Sequence, residues 1–205
     1  MSPMRMVWII VFLGVLIWSG IGPKDFPTWC LEVFPAVLAG AVLWVTRERF
    51  PLTSLTYALI LFHCVVLMVG GHYTYAEVPL GEWLRDVTDG SRNNYDKLGH
   101  FAQGFVPAIV ARELMIRLIV FNHAAWRNFF IVCFCLADSA FYELIEWWVA
   151  LLSEEAADAF LGTQGYVWDT QSDMGWALFG AILALVLLGQ WHDRQLAEHG
   201  FIPAA

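Results

Sequence analysis

Apolar residues run along the chain in six long blocks, at about Met6–Ile21, Leu31–Val45, Leu52–Val69, Leu98–Val120, Asn128–Leu152 and Met174–Trp191. Crossing the hydrocarbon core of a bilayer takes roughly 20 helical residues. The blocks therefore predict an all-α polytopic bundle of about six spans, forming one integral membrane domain over residues 1–205. Pro23, Pro51 and Pro79 fall just outside blocks, where helix ends belong. Pro107 falls inside the fourth block and predicts a kink there. The stretch from Gly81 to Asn94 reads as a polar outer segment with a short interfacial helix at Trp83–Val87. Arg5 followed by an apolar run imitates a signal peptide. No small-x-small cleavage pattern follows it, so an uncleaved first span that doubles as the anchor is expected.

Composition agrees with this pattern. The 205 residues are 59% hydrophobic and only 15% charged, against roughly 25% charged in soluble domains. The 11 tryptophans suit interfacial belts. With the N-terminus inside, Arg5, Arg47, Arg49, Arg112, Arg117, Arg127 and Arg194 fall on the cytoplasmic side, and Lys24, Arg85, Arg92 and Lys97 outside. That bias predicts both termini in the cytoplasm. The last outer hairpin, 153–173, holds five acids and no Lys or Arg, so much of the net charge of −8 faces outward. An acidic, outward-charged chain is a poor nucleic-acid binder. Cys64, Cys133 and Cys135 lie in apolar runs and read as small fillers, not as disulfide or thiolate sites.

What changes the picture is the spacing of the polar residues that remain. His72, Asp96 with His100 (D-x-x-x-H), Glu143 with Glu146 (E-x-x-E), and Asp169 with Asp173 (D-x-x-x-D) are all hard metal ligands. Spacings of three and four put both members of a pair on one helix face. At about 1.5 Å per residue, Glu143 and Glu146 lie ~22 and ~27 Å along the fifth span, level with the outer ends of its neighbours. All four groups therefore reach the outer boundary. Glu143 and Glu146 sit among Tyr142, Leu144, Ile145 and Trp147 and cannot both stay charged there without compensation. A bound metal, a cation such as Lys97, Arg92 or Arg85, or a shared proton would each supply it. Ligands of this kind, without thiols, suit Mg, Mn, Fe or Zn. Taken singly, Asp96, Asp169 and Asp173 also fit helix caps, and His72 an interfacial histidine.

Other polar residues suggest simpler roles. Arg112 and Asp138 are expected to pair, and His63 reads as a hydrogen-bonded core histidine. Thr74, Tyr75, Glu77, Gln103, Gln164, Tyr166 and Gln171 are candidates for orienting the ligands. The turn Gly162-Thr163-Gln164-Gly165 is expected to fold the last outer loop back over the bundle.

Four segments are familiar as a set: GGHYTYAEVP (70–79), NNYDKLGHFAQGF (93–105), FYELIEWW (141–148) and GTQGYVWDTQSDM (162–174). They resemble the YjdF-type proteins of the bacterial inner membrane, which implies a multi-pass fold in that membrane. More loosely, Asp96-Lys97 with His100, then Glu143, then Asp169 and Asp173 followed by Gly175 and Gly180, resembles the VanZ-like membrane proteins. Glu146 departs from that second pattern, in which glutamine is usual.

The ligand set at a lipid–water boundary leads to a metal-dependent membrane hydrolase or transferase, acting on a lipid or similar amphiphile. Glu143 or Glu146 would be its general base, and His100 a ligand or proton shuttle. A proton- or cation-coupled transporter and a non-catalytic structural protein are the alternatives. No G-x-S-x-G, P-loop, C-x-x-C or dinucleotide fingerprint supports serine, nucleotide or thiol chemistry.

Overall fold

A computed structural model describes residues 3–152, 164 and 166–202. Among them are seven helices and no strand: α1 (Pro3–Gly20), α2 (Phe26–Thr46), α3 (Ser54–Tyr73), α4 (Pro79–Thr88), α5 (Tyr95–Arg117), α6 (Ala124–Leu152) and α7 (Asp169–Glu198). The chain is a helical membrane bundle. The helices α1, α2, α3, α6 and α7 are long and apolar enough to cross a bilayer.

Local chemistry sets the ends. Asp25 is extended, and its Oδ1 accepts the Thr28 N–H at 2.8 Å. This cap, with Pro27 in the first turn, starts α2 five residues before its apolar block begins. The short second block thereby becomes a 21-residue helix that also contains Glu32. Thr53 caps α3, which closes on Thr74 in the left-handed region (φ 59°), whose N–H donates to the Gly70 carbonyl. The short interfacial helix is α4: Leu80, Trp83, Leu84 and Val87 form an exposed apolar stripe opposite Glu82, Arg85 and Asp86. Such a helix lies flat in the interface, apolar side down.

The fourth expected span, α5, is the central helix and is not among the five that are long and apolar enough to cross a bilayer. It is 23 residues long, packs against α3, α6 and α7, and buries Ala102, Val106, Ala108 and Ile109. Its polar residues face protein, so it does not need the apolarity of a lipid-facing helix. Pro107 lies inside it, and Pro35 inside α2. The tightest pairing is α5 on α7. A side chain at Gly104 would collide with the Ala177 carbonyl, and one at Gly180 with the Phe101 carbonyl. Small residues of this kind let transmembrane backbones approach closely. Cys64 and Cys135 pack in the core, as expected of fillers, whereas Cys133 is exposed; all four cysteines are free thiols.

One end of the bundle is locked by a buried carboxylate. Glu113 is fully buried and accepts from the Thr53 N–H (3.0 Å) and the hydroxyls of Thr53 (2.9 Å) and Thr56 (2.7 Å). Arg117 Nη1 at 3.0 Å and His192 Nε2 at 3.2 Å complete its shell. The expected Arg112–Asp138 pair does not form. Arg112 instead donates to His192 Nδ1 at 3.0 Å and to Asp193 at 2.7 Å. The tight α5–α7 packing carries Arg112 to α7, whereas Asp138 stands on α6.

Candidate carboxylate–histidine site

The opposite end of α5, beside α4, carries the chemistry. Asp96 and His100 share one face of α5, and His100 Nε2 lies 3.4 Å from Asp96 Oδ1 and 3.7 Å from Glu143 Oε1 on α6. Asp173 enters from the first turns of α7. One ligand atom from each of Asp96, His100 and Asp173 falls within 4.8 Å of the others. Glu146 completes the group, within electrostatic range of Glu143, His100 and Asp96. His100, Glu143, Glu146 and Asp173 are all buried.

Asp169 takes a different role. Arg92 Nη1 holds its Oδ1 at 2.6 Å, and Lys97 Nζ reaches the same oxygen at 3.5 Å. Lys97 also donates to Ser172 (2.9 Å) and reaches Asp173 at 3.3 Å. It therefore serves the start of α7 and not Glu143 or Glu146, the partners the sequence suggested. Arg92 lies 3.7 Å from Asp96 as well, tying the starts of α5 and α7 together. His72 stands apart from the group. Its Nδ1 contacts the Ser19 carbonyl at 2.9 Å and its ring packs on Trp18. Glu77 pairs with Lys24. The structure thus brings together five of the seven expected ligands, leaves Asp169 bound to cations, and sends His72 to the α1 joint.

Two groups went unnoticed in the sequence. Glu32 of α2 is buried and accepts the Tyr142 hydroxyl at 2.9 Å, within electrostatic range of Asp96 and His100. Tyr75 reaches the same carboxylate. Its ring fits only because a side chain at Gly70 would strike it, and one at Gly99 would press on it at 2.9 Å. The signal was a lone Glu in an apolar helix, beside the G-G of the next. Asn93, fully buried, fixes the approach to α5. Its Nδ2 donates to the Val78 carbonyl at 3.0 Å, and its Oδ1 accepts the Tyr95 N–H at 3.0 Å. The Gln164 side chain pairs with the Asn93 backbone at 3.1 and 2.9 Å. The rest of the expected turn at 162–165 lies outside the described residues. Tyr166 sits under both cations, its ring 5.7 Å from Arg92 and 5.3 Å from Lys97.

Two details define what this arrangement can do. Gln103 Oε1 lies 3.1 Å from His100 Nδ1, and Nε2 is directed at Asp96 and Glu143, to donate to them from the protonated ring or to offer a lone pair from the neutral one. Two carboxylate oxygens and an imidazole nitrogen thus face one another. Glu143 Oε1 is buried with no hydrogen-bond donor among the described residues. Among the described residues, the six carboxylates Glu32, Asp96, Glu143, Glu146, Asp169 and Asp173 gather here around two fixed cations, Arg92 and Lys97. Such a set takes up positive charge, as protons or as a metal.

A bundle of apolar helices with a recessed carboxylate–histidine cluster defines an integral membrane protein with a polar centre at one end. Residues 4–194 match the sequence profile of the family described as "Predicted membrane protein (DUF2238)". The chain is also 50% identical over 188 residues to the Inner membrane protein YjdF of Escherichia coli (strain K12), covering 92% of this chain and 90% of that protein. The chain belongs to this family of membrane proteins. No solved structure matches it.

Proposed function

We propose that the cluster binds a divalent metal and serves a hydrolase or transferase acting on a lipid or lipid-linked substrate at the outer face of the bacterial inner membrane. The observation that carries the metal is the convergence of His100 Nε2, Asp96 Oδ1 and the donor-less Glu143 Oε1 within 3.7 Å of the imidazole nitrogen. Oxygen and imidazole donors fit Mg, Mn, Fe or Zn, with His100, Asp96 and Asp173 as the converging ligands and Glu143, 3.7 Å from the imidazole, as a fourth. With a metal bound at Nε2, Gln103 would accept the Nδ1–H and orient the ring. A metal there supplies Lewis acidity and an ionisable water. Glu146, beside Glu143 and without a fixed cation of its own among the described residues, would serve as the general base.

The bias of the basic residues supports an outward-facing cluster, and the name of the relative supports the inner membrane. Proton-coupled transport would need a polar route from this cluster to Glu113 and His192. Buried Val106, Ala108, Ile109, Ala181 and Ala184 fill that interval, which favours the enzyme reading.

The test is turnover. Purified protein is incubated with inner-membrane phospholipids and products are followed by mass spectrometry, with chelator, with metal restored, and as Glu146→Gln. Turnover lost on chelation, regained on metal addition and abolished in Glu146→Gln supports the proposal. Proton or cation flux in proteoliposomes with no lipid product contradicts it.

A further inference from the structure

Below the cluster, a groove of about 790 Å³ runs down the bundle between α2, α3, α5 and α6. Its volume falls in the ~300–1,000 Å³ range of small-molecule sites. The wall is almost wholly apolar. It is hollow where helices are thinned or bent: Pro35 and Ala39 on α2 and Pro107 and Ala111 on α5 all line it. It is also open sideways. α2 packs along α3 but makes no extended contact with α6. Leu38 and Val42 on α2 and Phe134 on α6 line the groove yet remain exposed, so its mouth faces the hydrocarbon of the bilayer.

The upper end of the groove adjoins the cluster. Glu32 stands one turn above Ala36 on the same side of α2, and its bond to Tyr142 joins α2 to α6 just above the opening. His63 lines the groove, has no hydrogen-bond partner among the described residues, and lies within electrostatic range of His100. From Ala36 to Thr46 the α2 wall is ~15 Å long at 1.5 Å per residue. An amphiphile with its head at the cluster would run its tail along this wall.

We infer that the groove holds one acyl chain of a bilayer lipid, admitted sideways between α2 and α6, with the lipid's head group at the carboxylate–histidine cluster. This rests on the proposed lipid-directed function and names the path by which such a substrate reaches the site. The occupant is a lipid chain because the mouth opens within the apolar depth of the membrane, where acyl chains are the solvent.

The full-length protein is reconstituted in vesicles of phosphatidylethanolamine and phosphatidylglycerol, the latter carrying a diazirine midway along one chain. After photolysis, cross-linked peptides are mapped. Ala39→Trp fills the groove from α2 and Val110→Trp from α5. Each is checked for a wild-type melting profile, and either alone suffices if the other fails to fold. Cross-links concentrated on Ala39, Leu43, Val110 and Leu114, reduced severalfold in the Trp variants, are expected. Cross-links spread evenly over Val7, Ile10, Phe129 and Leu187, and unchanged by the Trp variants, would overturn the inference. Metal content of the same samples separates the two ideas. A labelled groove in metal-free protein retains the acyl site and removes the metal. Bound metal with an unlabelled groove does the reverse.

Discussion

Two carboxylates on one helix, Glu113 fully buried and Asp96 half-buried, illustrate the difference between a residue that holds a fold and one held ready for chemistry. Glu113 receives two hydroxyls, a backbone N–H, an arginine and a histidine. Replacing it by alanine leaves those donors without a partner, and breaking such a buried set costs about 3–5 kcal/mol. Glu113→Ala is expected to lower the melting temperature sharply or abolish folding, read by thermal unfolding in detergent. Asp96 belongs to an anion-rich group that is short of cations. Neutralising its neighbour as Asp173→Asn is expected to raise the melting temperature of the chelated protein while weakening metal uptake. A drop in stability like that of Glu113→Ala would place Asp173 among the structural locks. Tyr142→Phe removes the donor to Glu32, and leaving that buried acceptor short costs about 1–3 kcal/mol. The same unfolding measurement reads this loss.

At the scale of the element, the pair spacings were the legible part. D-x-x-x-H and D-x-x-x-D announced which faces of α5 and α7 would meet, and the meeting occurs because Gly104 and Gly180 let those two backbones touch. Gly104→Ala therefore forces the helices apart, and overpacking of this kind costs typically about 1–3 kcal/mol. A lowered melting temperature with reduced metal retention is expected, since Asp173 rides on α7. What the sequence hid had physical causes. His72 is spaced like a ligand, but its backbone is tied to Lys24 and its ring to Trp18, so it faces α1. Arg112 was matched to Asp138 by depth alone, and depth does not say on which side of a helix a residue points. Glu32 was passed over because a single acid has no spacing to read. Only tertiary packing delivers it to Tyr142 and Tyr75.

For the whole molecule, the two ends of the bundle divide the work. One end is a saturated polar lock, the other an anion-rich pocket, and an apolar middle keeps them apart. On the proposed metal site, uptake would depend on pH in one direction. Carboxylates and imidazole bind metal only when deprotonated, so occupancy falls as pH falls. Dialysis at about pH 5 is expected to strip metal that is retained at about pH 8, followed by elemental analysis. Metal retained equally at both would contradict ligation by this set. The helical bundle was legible from the blocks because bilayer thickness dictates helix length. The placement of α5 at the centre was not, since its polar residues made it the least apolar of the blocks.

The central claim is that Asp96, His100, Glu143 and Asp173 hold a divalent metal. Inductively coupled plasma mass spectrometry on detergent-purified protein, beside a Glu143→Ala/Asp173→Ala variant, tests it most directly. The account predicts near-stoichiometric metal in the wild type and background metal in a variant that remains folded. A folded wild type carrying no metal under metal-replete conditions, or a variant carrying as much as the wild type, would contradict it.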